Sequence, residues 1–421
     1  MHQRVTLPNG IRVFTSEMPH LRSVSIAFYF GVGARYEPDP ISGASHFIEH
    51  MLFKGSRHFP NAQVISEAIE GVGGVLDAAT DKEVTVYSAK VASQHFDLAL
   101  RLMTDMVRHP LMEAQEIEKE RGVIIEELSM YRDSPADWVN VLADEAMWPG
   151  QPLGREVAGT RETVAALSRE TLLDYKARHY TPSNLVISVA GNVSHQQVMD
   201  KLVELLDDWP DSTAPRWSPS PIRPTAERVW LETRPTEQTN LCLLTPGIAH
   251  TDPRHYTMTL LNAALGDGMS SRLFIEIRER LGLAYDIGSA PSYYYDTGSF
   301  TISAGVEPKR TEATIRAAIA ELRKLRDEPP RPEELARVKE YTKGRMALRL
   351  EDTYSVAAWM GGQEIISGEA LELDEVTARV DAVTVEQVQA LARDLFTSDG
   401  LRLAVIGPQD DRAALERLLE M

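Results

Sequence analysis

His46, Glu49 and His50 stand in the order H-x-x-E-H, within His46-Phe47-Ile48-Glu49-His50. On a helix the positions i, i+3 and i+4 share a face, so two imidazoles and one carboxylate would point the same way. Two neutral imidazoles can hold a zinc ion, and a carboxylate beside them can take a proton from a water that the zinc acidifies. The order is the reverse of the familiar H-E-x-x-H. It supplies two ligands where catalytic zinc usually takes three from protein, so a third must come from another element.

A helical pattern from about Glu113 to Tyr131 carries Glu113, Glu116, Glu118, Glu120, Glu126 and Glu127. Glu120 and Glu127 lie two turns apart and share a face with Val123 and Ile124. A carboxylate on a buried helix face is costly unless a cation meets it, and a metal or a ligating histidine would be such a partner. Glu126 lies about 100° around the helix from Glu127, on a more exposed side. Periodicity leaves both open as the ligand, while Glu113, Glu116 and Glu118 read as a solvated face.

These elements need a large scaffold, and 421 residues suit two domains. We place them at 1–210 and 227–421, joined by an exposed Pro- and Ser-rich linker at 211–226 that has no apolar period. The halves follow one plan. Before the linker, a helix, the turn Thr181-Pro182-Ser183-Asn184, an apolar strand, Gly191 and another helix follow in order. The end of the chain repeats that order with Gly407 in the place of Gly191. With alternating strands such as Val24–Phe30 and Val84–Val91, each half reads as α+β: a mostly antiparallel sheet packed with several helices. H-x-x-E-H occurs only in the first half, so catalysis and support are expected in different halves.

The net charge of −18 argues against nucleic acid or an anionic membrane as partner, because both need a basic footprint. Cys242 is the only cysteine and cannot form an internal disulfide. The N-terminal residues show no apolar signal region and no run is long enough to span a membrane, so a cytoplasmic protein is expected.

The chain resembles the pitrilysin-type zinc peptidases, the inverzincin family of insulin-degrading enzyme and the mitochondrial processing peptidase. In that family H-x-x-E-H is followed by sixty-nine residues, Glu, six residues and Glu, and Glu120 and Glu127 fall on both positions. The likeness runs nearly end to end, through GVGARYEP, HFIEHMLFKGS, GGVLDAATDKEVTVYSAKV, ERGVIIEELSMYRDSP and SSRLFIEIRERLGLAYDIGS. It implies one zinc per chain held by His46, His50 and Glu127, Glu49 as general base, and Glu120 supporting a ligating imidazole. It implies hydrolysis of short or unfolded peptides in an enclosed chamber. The strand holding Asp77 and Ala78 would take an extended peptide as an added strand. The family usually has Asn where this chain has Asp77. From the second half, Arg278 and Tyr285 would contact a peptide carbonyl or the oxyanion.

A homodimer closing the chamber is the expected assembly, with a heterodimer containing an inactive homologue as the alternative. A processing peptidase that selects arginine would carry two acids after the third ligand; here Asp137 occupies one position and Val141 the other. Degradation of peptides therefore fits better than presequence processing. A non-catalytic scaffold of the same fold is the rival from another class, and the presence of Glu49 argues against it.

Overall fold

The computed structural model describes residues 2–421 apart from 211, 214 and 224, three positions within the expected linker. The first sheet contains β1 (Gln3–Thr6), β2 (Arg12–Glu17), β3 (Ser23–Phe30), β4 (Val75–Thr80), β5 (Thr85–Ala92) and β6 (Leu185–Gly191), in the order β1-β2-β6-β3-β5-β4. Its neighbours are antiparallel except β2 and β6. The second sheet contains β7 (Val229–Thr233), β8 (Thr239–Pro246), β9 (Ala284–Tyr293), β10 (Gly298–Val306) and β11 (Arg402–Gly407), in the order β7-β11-β8-β10-β9. Here too one pair is parallel, β7 with β11. Setting β7–β11 against β2–β6 in chain order reproduces both the strand order and the position of the parallel pair. The repeat read from glycines and turns is therefore a repeat of topology, and the fold is α+β as expected.

The chain forms two compact units, and neither is a continuous stretch. The first comprises Met1–Leu128, Glu156–Ser218 and Ala347–Glu372; the second comprises Ser129–Arg155, Pro219–Met346 and Leu373–Met421. In the first unit, helix Thr353–Ser367 brings Ala357, Met360 and Ile365 against Phe14, Ala27, Tyr29, Val186 and Ala190. Gly361 permits this closeness, because a Cβ there would meet the Tyr29 ring at 2.5 Å. In the second, helix Pro135–Met147 brings Val139, Ala143 and Met147 against Cys242, Leu244, Ala404 and Ile406. Each sequence half thus lends a helix to the other half's sheet, which a cut at 210 and 227 does not anticipate. With helices covering it, the first sheet buries β6 at every residue and β3 at all but Ser23, so β3 lacks the polar–apolar alternation of a one-faced strand.

The linker also differs from the exposed tether expected. Trp217 lies over the Arg35 guanidinium at 4.3 Å, the Ser218 carbonyl accepts from Arg35 Nε at 3.0 Å, and Ser220 is buried. Lack of an apolar period marked absence of regular structure, not absence of contacts. Among the described residues no helix is long and apolar enough to cross a membrane.

Candidate metal centre and active site

The motif helix spans Ala44–Leu52 and buries Ala44, Ser45, Phe47, Ile48, Met51 and Leu52. His46, Glu49 and His50 form the half-buried stripe that remains. Its start is unusual: Gly43 has φ of 96°, a left-handed value that suits glycine. The carboxylate of Glu37 accepts from Gly43 N at 2.7 Å and from Ser45 N at 2.6 Å. A buried negative charge thus meets two donors that the helix leaves unpaired at its positive end. Beyond the other end, Asp105 accepts from the Ser56 hydroxyl at 2.6 Å and the His58 amide at 2.8 Å, fastening the loop that follows Lys54.

The acid-bearing helix spans Ala114–Asp133, with Ile117, Glu120 and Ile124 on its buried face. Val123, expected on that face, is 50% exposed. Glu127 is half-buried and Glu126 exposed, as helix geometry required of them.

Together the two helices bring three donor atoms to one point. His46 Nε2 and His50 Nε2 are 3.2 Å apart, and Glu127 Oε2 lies 3.8 Å from the first and 3.6 Å from the second. Tetrahedral zinc with bonds of about 2.0–2.2 Å places ligand atoms roughly 3.3–3.6 Å apart. Among the described residues this is the one cluster of its kind. Tautomers fit as well. His50 Nδ1 sits 2.9 Å from Glu120 Oε1, which fixes the proton there and leaves the Nε2 lone pair free. Burial, reinforced by the neighbouring His50, pulls His46 down to about 4, so His46 is neutral at physiological pH, as a ligating imidazole must be. The donor set therefore fits zinc.

Glu120 is held from its other side by Lys54 Nζ, at 2.6 Å from Oε2. Burial alone would raise this carboxyl, yet the bonds to His50 and Lys54 hold it below the usual range. Glu120→Gln removes the charge that both partners read. Zinc affinity is expected to fall about 10–100-fold, measured by competition with a chromophoric chelator. Unchanged affinity would show that Glu120 does not support His50.

Glu49 contributes no atom to the three-donor cluster. Its Oε2 accepts from the Thr80 hydroxyl, which fixes the carboxylate's orientation. Burial pushes this carboxyl up; Thr80 and His50 oppose the rise, and the charges of Glu127 and Asp77 add to it. A carboxylate raised toward neutral pH is a better proton acceptor than a free one. Its charge is felt by Tyr87 and Tyr180, both buried, whose hydroxyls are 3.0 Å apart.

Asp77 and Ala78 lie on β4, the last strand of its sheet, and the Ala78 amide donates to Asp77 Oδ1 at 2.8 Å. In the second unit, Arg278 belongs to a stretch of π-helix, Phe274–Arg280. Its guanidinium lies 4.6 Å from the Phe274 ring centroid and 4.8 Å from that of Tyr285. Tyr285 is the extra residue where the β9–β10 register shifts, Gly305 pairing with Asp286 and Val306 with Ala284. Tyr285 is 80% exposed. A π-helical stretch and a β-bulge, each uncommon, bring together the two residues that the family resemblance had paired.

Glu37, Lys54 and Thr80 escaped the sequence reading. Thr80 carried a signal, since alternation sets it on the same strand face as Ala78. Lys54 follows His50 by four residues, helical spacing past a helix end. Glu37 carried none, because nothing in an acid six residues before a glycine announces a cap.

Two family models match the chain: Insulinase (Peptidase family M16) over residues 12–161, and Peptidase M16 inactive domain over residues 166–341. An uncharacterised zinc protease of Streptomyces coelicolor is 38% identical, over 98% of this chain and 91% of its own. The uncharacterised zinc protease YmxG of Bacillus subtilis is 37% identical, over 97% and 98% respectively. Among solved structures, a protease from Helicobacter pylori superposes with a TM-score of 0.91 at 20% identity, covering 97% of this chain and 99% of that one. A Pseudomonas fluorescens protein described as a peptidase M16 inactive domain gives 0.88 at 20% identity, covering 97% and 98%.

Proposed function

Because this chain belongs to the M16, or pitrilysin-like, family of zinc peptidases, we propose that it is a zinc-dependent endopeptidase acting on short or unfolded peptides. The observation that carries this reading is the division of labour at the site. Three donor atoms converge from His46, His50 and Glu127, while Glu49 stands beside them, oriented by Thr80 and outside the donor set. A site built only to stabilise a fold has no use for that fourth group.

Zinc, when bound, supplies Lewis acidity that acidifies water and polarises a peptide carbonyl. Glu49 takes the proton from the attacking water and delivers it to the departing amine, so the same carboxyl serves as base and then as acid. Its raised affinity for a proton suits both steps. Glu120 and Lys54 hold His50 in one tautomer throughout. The substrate lies extended along the free edge of β4, where backbone pairing gives affinity with little demand on sequence. In this reading Arg278 and Tyr285 of one protomer donate, from a preformed stack, to the peptide held by its partner. The working assembly in this reading is a homodimer enclosing a cavity.

Internally quenched peptides provide the test. Hydrolysis is expected to vanish on chelation and to return with a single equivalent of zinc. Sedimentation at assay concentrations is expected to give the mass of two chains. Cleavage by demonstrably zinc-free protein overturns the catalytic reading, and full activity of a monomer overturns the assembly.

A further inference from the structure

The side chains of β4 divide into two sets. Leu76, Ala78 and Thr80 are half-buried, and Thr80 reaches Glu49, whereas Val75, Asp77 and Ala79 are exposed on the opposite face. β4 ends its sheet, pairing only with β5. The Asp77 carboxylate accepts the Ala78 amide through Oδ1, and among the described residues no lysine, arginine or histidine pairs with it. An unpaired carboxylate thus stands on the free edge, three residues from the one that holds the base, about 10 Å along the strand.

We propose that Asp77 determines specificity, selecting a cation on the substrate residue that lies opposite it when a peptide adds to β4. The inference rests on the peptidase reading and on strand addition. In an added strand, the residue directly across presents its side chain on the same face as Asp77, with Cβ atoms about 4.5–5.5 Å apart. A lysine or arginine there meets a carboxylate with no competing partner; an aspartate or glutamate meets a like charge. Val75, on the same face and 63% exposed, offers apolar contact to the substrate residue two positions away. The cation has two possible sources, a basic side chain or the free ammonium of a peptide N-terminus, and acetylation separates them.

The experiment uses the zinc-loaded protein and quenched peptides differing at one position between Arg, Gln and Glu, each with free and acetylated N-termini. Cross-strand charge pairs of this kind are expected to favour Arg over Gln in kcat/KM by up to about fivefold, with Glu poorer still. The preference should map to one position relative to the scissile bond. Asp77→Asn is expected to bring the Arg/Gln ratio to about one, and Asp77→Lys to invert it in favour of Glu. An Arg preference that is the same with free and acetylated N-termini assigns the cation to the side chain; equal cleavage of the three free peptides with slower cleavage of their acetylated forms assigns it to the N-terminus. Wild-type protein that cleaves all of these peptides equally, free and acetylated alike, overturns the proposal while leaving the peptidase reading intact, as does a preference that is unchanged in Asp77→Asn. Protein that cleaves none of them with zinc bound overturns both.

Discussion

Zinc-loaded Glu49→Gln protein is expected to keep its metal and to lose peptide hydrolysis by about 10²–10⁴-fold. The amide is nearly isosteric and can still accept from Thr80, so the local packing is retained. What it cannot do is take a proton from water. Since Glu49 supplies no atom to the cluster of His46, His50 and Glu127, metal content measured by mass spectrometry under native conditions should match the wild type. His50→Ala is the contrasting variant, because it removes both a donor atom of that cluster and the partner of Glu120, and is expected to lose zinc and activity together. Normal cleavage by Glu49→Gln, or its loss of zinc, would show that the base is misassigned.

The second large effect lies away from the chemistry. Glu37→Ala leaves the amides of Gly43 and Ser45 without their carboxylate at a buried helix start. Bonds from backbone amides to a charged acceptor are among the stronger ones, and two are lost together, so a destabilisation of about 3 kcal/mol is expected. For a unit of this size that lowers Tm by roughly 6–12 °C, measured by calorimetry on the zinc-free protein. Zinc should bind more weakly to the same variant, since the helix that carries two of the three converging donor atoms loses its anchored end. A Tm within a degree of wild type would mean that water replaces the carboxylate and that the cap is dispensable.

Much of the site was legible because its information is local. His46, Glu49 and His50 lie within one helical turn and a half, where a period of 3.6 residues dictates which side chains share a face. Glu120 and Glu127 obey the same rule on a second helix, and their separation from the motif matched a known family pattern. The repeat was legible too, since turns and glycines punctuate strands in the same order in each half, and the two sheets share that order.

Other features depended on which surfaces meet, and no period encodes that. Helices Pro135–Met147 and Thr353–Ser367 are apolar enough to need a sheet, yet nothing in either shows that the sheet belongs to the other half of the sequence. Glu37, Thr80 and Lys54 act on groups from six to sixty-six residues away, joined to them only by the folded chain. The same holds for Tyr285, whose exposure follows from one register shift against β10. Sequence by itself determined which of His46, Glu49, His50, Glu120 and Glu127 share a helical face, because backbone geometry acts over a few residues. Tertiary structure alone decided how three donor atoms come within 3.8 Å of one another and what holds them there, because long-range packing and buried hydrogen bonds set those positions.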